Sequence, residues 1–313
     1  MLVTLKDVMK IAEERKMAVG SFNTPNLESL QAVTGAAQEL GLPVIIQFAQ
    51  CHEPWIPLSV IGPVMVEAAK RASVPVCVHL DHGETPEYLQ QALDLGFTAV
   101  MYDGSVLPYE ENLANTRKAV EMAARTGASV EAELGSMGRR ESGTGDDCGE
   151  KSGSKPPDSQ WCATTDQARD MQEYKDETKI YTDPELAARF VRETGIDALA
   201  CSFGTTHGIY LTEPKLDFDV VKNVRRLAGG IPVVMHGGSG VGREDYRRAI
   251  QAGVRKVNYF TYMDKSGGSA AADYLKSCRE GDPVFFSSLS MAAQEAMKEN
   301  VKTAMRQFAL LEE

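Results

Sequence analysis

The sequence predicts an α/β fold, an eight-stranded TIM (β/α)8 barrel, and three observations predict it. Short β-branched runs recur along the 313-residue chain. Helix-like segments separate them, and each run is apolar on successive residues, as in parallel strands buried on both faces. Strand then helix, repeated about eight times, is the pattern of a barrel. A doubly wound open sheet is the competing arrangement, because a sequence does not display closure.

In order, strands are expected at 18–23 (AVGSFN), 43–49 (PVIIQFA), 75–81 (PVCVHLD), 99–104 (AVMYDG) and 129–135 (SVEAELG). Three more follow at 198–204 (ALACSFG), 232–238 (PVVMHGG) and 256–261 (KVNYFT). The intervening helices are NLESLQAVTGAAQEL, SVIGPVMVEAAKRA, PEYLQQALDL, EENLANTRKAVEMAART, DPELAARFVRET, FDVVKNVRRLA and REDYRRAIQAG. Most start near Asp, Thr, Ser or Pro and stop near Gly, which are the expected punctuation residues. The end of the chain, SLSMAAQEAMKENVKTAMRQFALLEE, reads as a long C-terminal helical extension with apolar residues at helical spacing. Residues 142–180 interrupt the pattern after the fifth strand. They are rich in Gly, Ser, Asp and Lys and poor in aliphatics, so they read as a loop insertion within a single domain over 1–313. Cys148 and Cys162 fall in it and read as incidental, with pairing or metal binding as the alternatives.

Bulk properties narrow the function. Hydrophobic residues make up 43% and charged residues 25%, as in soluble globular proteins. A formal charge of −11 argues against nucleic acid or an anionic membrane as partner. A small anion is still bound readily by a few backbone N–H groups. The opening MLVTLKDVMKIAEERK lacks the apolar core of a signal peptide, and no run approaches the roughly 20 apolar residues of a membrane span. With six scattered cysteines and no CxxC pair, a reduced, cytoplasmic protein is expected.

The chemistry gathers at predicted strand ends. Of five histidines, His82 (DHG), His207 (TTHG) and His236 (MHGG) each precede a glycine at the C-terminal end of a strand. Those ends meet at one face of a barrel, where active sites are built. Three neutral imidazoles with an open fourth position make a catalytic Zn2+ site. The alternative is three unrelated core or surface histidines; His52 and His79 are read as structural. Asp81, beside His82, suits a proton carrier for a substrate hydroxyl, or else a helix cap or supporting group. Asp103 and Glu133 are placed to be outer-shell partners or a second metal position, and Glu141 opens the insertion. HGGSG (236–240) runs into a helix start, so its glycine N–H groups and Ser239 suit an anion, unless it is a plain tight turn. Asn258 and Thr261, in the VNYFT at the end of the last strand, belong to the same face.

Taken in order, SFN, HLDHG, MYDGS, EAELG, GTTHGIY, KLDF, HGGSG and VNYFT resemble the class II, metal-dependent ketose-bisphosphate aldolases, which include fructose- and tagatose-bisphosphate aldolases. The resemblance covers nearly the whole chain outside 142–180. It implies a lyase that cleaves a ketose 1,6-bisphosphate, fructose 1,6-bisphosphate first, to dihydroxyacetone phosphate and an aldehyde. It implies Zn2+ on His82, His207 and His236, with Glu133 and Asp103 nearby. Asp81 would handle the C4 hydroxyl proton, and Glu141 the proton on the dihydroxyacetone phosphate carbon. Asn23, Gly208, Gly237, Ser239, Asn258 and Thr261 match substrate-holding positions, and Gly208 also falls where members hold a monovalent cation (Na+ or K+). A homodimer or homotetramer is implied as well. One departure concerns the aldehyde half: Phe260 stands where fructose-bisphosphate members carry an acidic residue. An aldolase for tagatose bisphosphate or another phosphorylated sugar is the near alternative. A zinc hydrolase and a noncatalytic phosphosugar-binding protein are the distant ones. A lysine Schiff base is disfavoured, since Lys256 is the one lysine among the strand interiors.

Overall fold

The computed structural model describes residues 1–135, 181–208, 210 and 214–311. The predicted insertion, with Glu141, Cys148 and Cys162, therefore lies outside the described residues. Eight parallel strands form the wall: β2 (Val19–Asn23), β3 (Val44–Ala49), β4 (Val76–Gly83), β5 (Ala99–Tyr102), β6 (Ser129–Leu134), β7 (Ala198–Cys201), β8 (Val233–Met235) and β9 (Val254–Tyr259). Neighbours pair in the order β4-β3-β2-β9-β8-β7-β6-β5, and a β4–β5 pairing closes the ring. Closure settles the choice between barrel and open sheet. A two-residue strand β1 (Leu2–Val3) adds to the lower end of β4, with Val3 level with Cys77.

The outer helices are α2 (Leu27–Leu40), α3 (Leu58–Arg71), α4 (Pro86–Asp94), α5 (Tyr109–Ala124), α6 (Pro184–Thr194), α7 (Phe218–Leu227) and α8 (Arg243–Ala252). Their starts are written in the sequence. Asn26, Thr85, Asp183 and Asp217 each accept a backbone N–H at a helix N-terminus, satisfying donors that have no partner within the helix.

Two helices escape the sequence pattern. The first, α1 (Leu5–Arg15), is capped by a reciprocal Thr4–Asp7 pair and buries Leu5, Val8, Met9 and Ala12. It touches β2, β4, β6 and β9, strands from around the whole ring, and so plugs the N-terminal mouth of the barrel. The second, α9 (Thr261–Ser277), starts directly after β9 and forms a hairpin with α10 (Phe286–Phe308). The Phe308 ring packs on Phe22, Tyr246 and Tyr259, which ties the C-terminal extension to the barrel wall.

The interior is divided by chemistry. Apolar side chains fill the layer between strands and helices. The barrel's own lumen instead carries buried polar groups, among them Ser21, Asn23, Gln47, His79, Asp81, Glu131, Glu133, His236, Lys256 and Asn258. Such groups are costly to bury unless they pair. Their pairing defines the site. No helix among the described residues is long and apolar enough to cross a membrane.

Candidate active site

The DHG stretch sits on a bulge. Along the β4–β5 pair, Leu80 is level with Val100 but Gly83 with Tyr102, so β4 carries one extra residue between them. His82 takes up the irregularity with φ 46°, a left-handed conformation rare for a residue with a Cβ. In a regular strand two successive residues face opposite ways. The bulge re-aims them, so that Asp81 and His82 both serve the mouth of the barrel. Gly83 is required there, since a Cβ would stand 2.5 Å from Leu89 Cδ1 and 2.9 Å from the Met101 carbonyl oxygen.

Three histidines from three strand ends converge. Ring centroids are 4.8 Å apart for His82–His236, 5.2 Å for His82–His207 and 5.7 Å for His207–His236. One ring nitrogen of each lies within 4.8 Å of those of the other two. Carboxylates brace two of the rings from behind. His82 Nδ1 is 2.7 Å from Asp103 Oδ2, and His236 Nε2 is 2.9 Å from Glu131 Oε1. Each therefore directs its other nitrogen inward, and His82 Nε2 lies 3.1 Å from His236 Nδ1. This is the arrangement in which outer carboxylates fix tautomer and orientation of metal-binding imidazoles.

Electrostatics agree with the donor set. Burial favours a neutral His82, but Asp81, Asp103 and Glu133 outweigh it and hold the imidazole protonated well above its usual range. Burial and the His82 charge push His236 the other way, against Glu131. The carboxylates that favour a positive charge on His82 would equally favour a cation among the three imidazoles. The residues thus fit a metal ion bound by His82, His207 and His236. Glu133 Oε2, 3.7 Å from His236 Nδ1, forms a second convergent set with His82 and Asp103. Replacing Asp103 by Asn should weaken metal affinity by about 10- to 100-fold, because the His82 brace loses its charge. Competition against a chromogenic chelator measures this. Unaltered affinity would remove Asp103 from the site's support.

Asp81 stands beside the cluster, its Oδ1 4.0 Å from His82 Nε2, and has hydrogen-bond partners of its own. Asn23 Nδ2 (3.2 Å) and Gln47 Nε2 (3.1 Å) donate to Oδ2, and Asn258 Nδ2 (3.1 Å) donates to Oδ1. Burial would raise its pKa, but His82, His236, Lys256 and His79 prevail and keep the carboxyl well below the usual carboxylate range. Gln47 is a site residue that strand patterning missed; its only signal was a polar side chain inside VIIQFA. Beneath lies a charged layer that was missed too. Glu131 reaches Lys256 Nζ at 2.7 Å and His79 Nε2 at 3.4 Å, all of them fully buried.

The predicted anion loop follows β8. Gly237 has φ 62° and approaches the Thr206 carbonyl so closely that a Cβ would stand 2.3 Å from its oxygen. Gly238 N–H donates to the Asn258 carbonyl, and the Ser239 hydroxyl accepts the Phe260 N–H at 3.1 Å. Gly208, with φ 93°, follows His207 directly. Thr261 opens α9 instead of lying in a loop, so helix N-termini α8 and α9 both begin at this face.

Over the same mouth, His52, Trp55 and Phe260 stack together. Burial lowers the His52 pKa to about 4, against the pull of Asp81. The sign follows: between about pH 6.5 and 4 the unfolded chain binds a proton that the folded chain refuses, so stability falls as pH falls. The expected loss is at most about 3 kcal/mol. Denaturant unfolding at pH 7 and pH 4.5 should show a smaller difference for His52→Phe than for the wild type; equal differences would exclude His52 as a source.

Comparison with known proteins now adds to the geometry. The family model "Fructose-bisphosphate aldolase class-II" matches residues 3–312. The chain is 36% identical to a fructose-bisphosphate aldolase of Staphylococcus aureus over 98% of this chain and 97% of that one. Among solved structures it resembles the YdjI aldolase of Escherichia coli K12, with 31% identity, a TM-score of 0.79, and 98% and 97% of the two chains covered. The fold is shared with a fructose-bisphosphate aldolase of Campylobacter jejuni at 23% identity and a TM-score of 0.72, over 99% and 96% of the chains. Barrel, converging histidines and a match along almost the entire chain agree, and the chain belongs to the class-II fructose-bisphosphate aldolase family of lyases.

Proposed function

We propose that this protein is a zinc-dependent aldolase that reversibly cleaves a phosphorylated ketose, with fructose 1,6-bisphosphate as the first substrate to assay, to dihydroxyacetone phosphate and an aldehyde. The observation that carries the reading is the adjacency of two devices on one bulged strand end: an imidazole of the three-histidine cluster and the separately held carboxylate of Asp81. Bound to His82, His207 and His236, the metal supplies Lewis acidity at a substrate oxygen. Asp81 takes the C4 hydroxyl proton as the C3–C4 bond breaks, and the bonding pair moves toward the C2 carbonyl. The C4 carbon leaves as the aldehyde. In synthesis Asp81 returns the proton.

Asn23, Gln47 and Asn258 keep the Asp81 carboxylate in one orientation, so little reorganisation is needed when charge shifts. Gly208, Gly237, Ser239, Asn258 and Thr261 hold the dihydroxyacetone phosphate end, with a monovalent cation beside Gly208, and Glu141 exchanges the proton on its carbon. Asp103 and Glu133 are outer-shell groups or a second metal position. The same reading makes the chain one (β/α)8 domain that works in the cytoplasm as a homo-oligomer.

The test is release of dihydroxyacetone phosphate from fructose 1,6-bisphosphate and other ketose 1-phosphates by zinc-loaded and chelator-stripped protein. Release that disappears on stripping and returns with zinc is expected. Release that survives complete stripping would overturn the metal-dependent reading, and none from any ketose phosphate would overturn the aldolase.

A further inference from the structure

The dihydroxyacetone phosphate end uses β8, β9 and the glycine loop, which leaves the rim above β2 and β3 for the rest of the substrate. That rim is aromatic. His52 lies in the short turn after β3, three residues beyond Ala49, which is level with Asp81. Phe260 follows β9 two residues after Asn258, whose amide holds Asp81. Strand order places β2 between β3 and β9, so side chains that join the two ends must span the top of Asn23. They do. His52 and Trp55 stack with centroids 4.6 Å apart and planes at 18°, while Phe260 lies 5.2 Å from His52 and 6.5 Å from Trp55.

Two details separate this wall from ordinary packing. Trp55 is 48% exposed, so a large indole face is open at the mouth. His52 is 4% exposed, yet its Nδ1 has no hydrogen-bond partner among the described residues. Buried polar atoms are nearly always satisfied, and a ligand hydroxyl would satisfy this one once a turn of the imidazole brings Nδ1 to the mouth. Among the described residues, no cation that would pair with a phosphate or carboxylate stacks on these rings; the cation–π contacts are to Tyr109, Phe218 and Tyr262. The same loop instead carries the Glu53 carboxylate, fixed by Leu58 N–H and the Tyr88 hydroxyl.

We infer that His52, Trp55 and Phe260 are specificity-determining residues that select an uncharged hydroxyaldehyde, its carbon chain against the rings and a hydroxyl on His52 Nδ1. This rests on the aldolase reading above. Glyceraldehyde and glyceraldehyde 3-phosphate differ by the phosphate alone and form the natural test pair.

The experiment uses zinc-loaded protein in the synthetic direction with dihydroxyacetone phosphate and each aldehyde in turn. In parallel, exchange of the dihydroxyacetone phosphate proton in deuterated water, without aldehyde, checks the other half of the site. Expected are exchange, a kcat/KM for glyceraldehyde at least about tenfold above that for its 3-phosphate, and a ratio that falls at least about tenfold in Trp55→Ala and in Phe260→Ala. Thermal unfolding identifies a variant that does not fold, and the wild-type ratio decides the matter alone in that case. Exchange with a ratio of one or less, or folded variants with an unchanged ratio, would overturn the aromatic selection and leave the aldolase standing. Absence of exchange would sink the aldolase reading, and the inference with it.

Discussion

Asp81→Asn should lower aldol cleavage by about 100- to 10,000-fold while the protein keeps its fold and its metal. The structure explains why so small a change should act on turnover alone. Asp81 accepts two amide hydrogens on Oδ2 and one on Oδ1. An asparagine can keep its oxygen toward Asn23 and Gln47 and turn its NH2 toward Asn258. The Asn258 amide then has only to flip, and its Oδ1, which is buried without a hydrogen-bond partner among the described residues, gains one. One group of the buried Asn258 amide lacks a partner before the change and one after it, so the cost to stability should be within about 1 kcal/mol.

What the variant lacks is a group that can accept the C4 hydroxyl proton. Proton exchange on dihydroxyacetone phosphate does not involve that hydroxyl and should be affected far less than cleavage. The measurements are steady-state cleavage, metal content and exchange on one preparation. Turnover within tenfold of wild type, with metal bound, would exclude Asp81 as the proton carrier.

How far this site could be read from the chain depended on where each residue lies along its strand. His82, His207 and His236 stood out because each ends or follows an apolar run and precedes a glycine, signals of a buried strand giving way to the loops at the barrel's mouth. Asp81 was legible through its neighbour. Gln47, Glu131 and Lys256 were not, because they lie inside strands, where one polar residue among β-branched neighbours looks like noise. They become meaningful only when register brings them together: Gln47 lies level with His79 on the adjacent strand, while Glu131 and Lys256 meet across the lumen. The bulge at Leu80–Gly83 was equally hidden, since an extra residue shows only against the partner strand.

Two helices were missed for different reasons. The short amphipathic α1 precedes the first barrel strand and belongs to no strand–helix repeat. Helix α9 contains Gly267 and Gly268, residues with poor helix propensity. In the fold Gly267 is where α9 meets α10, and a Cβ there would stand 3.0 Å from Met297 Cγ. The glycine serves close helix packing.

Lys256→Met should cost about 3–5 kcal/mol of stability, the usual consequence of leaving a buried charge without its partner. Glu131 and Lys256 are fully buried, and their contact is 2.7 Å. Burial works against an ionised Glu131, but Lys256, the hydrogen bond to His236 and the nearby His79 imidazole hold its carboxyl well below the ordinary range. Without the ammonium, one carboxylate would face two buried imidazoles, and either it takes up a proton or an imidazole does. Removing both charges at once, as Glu131→Leu with Lys256→Met, should recover much of the loss, because an apolar pair needs no compensation. The two functions of Glu131 separate at this point. In the double variant His236 Nε2–H has lost its acceptor, so metal affinity should still fall by about 10- to 100-fold although stability has returned. Urea unfolding of metal-free wild type, single and double variants, alongside chelator competition, resolves the two effects. A single variant within 1 kcal/mol of wild type would mean that the charged layer is dispensable to the fold. A double variant with wild-type metal affinity would show that His236 keeps its orientation without Glu131, and the carboxylate beneath the histidines would then be a matter of stability alone.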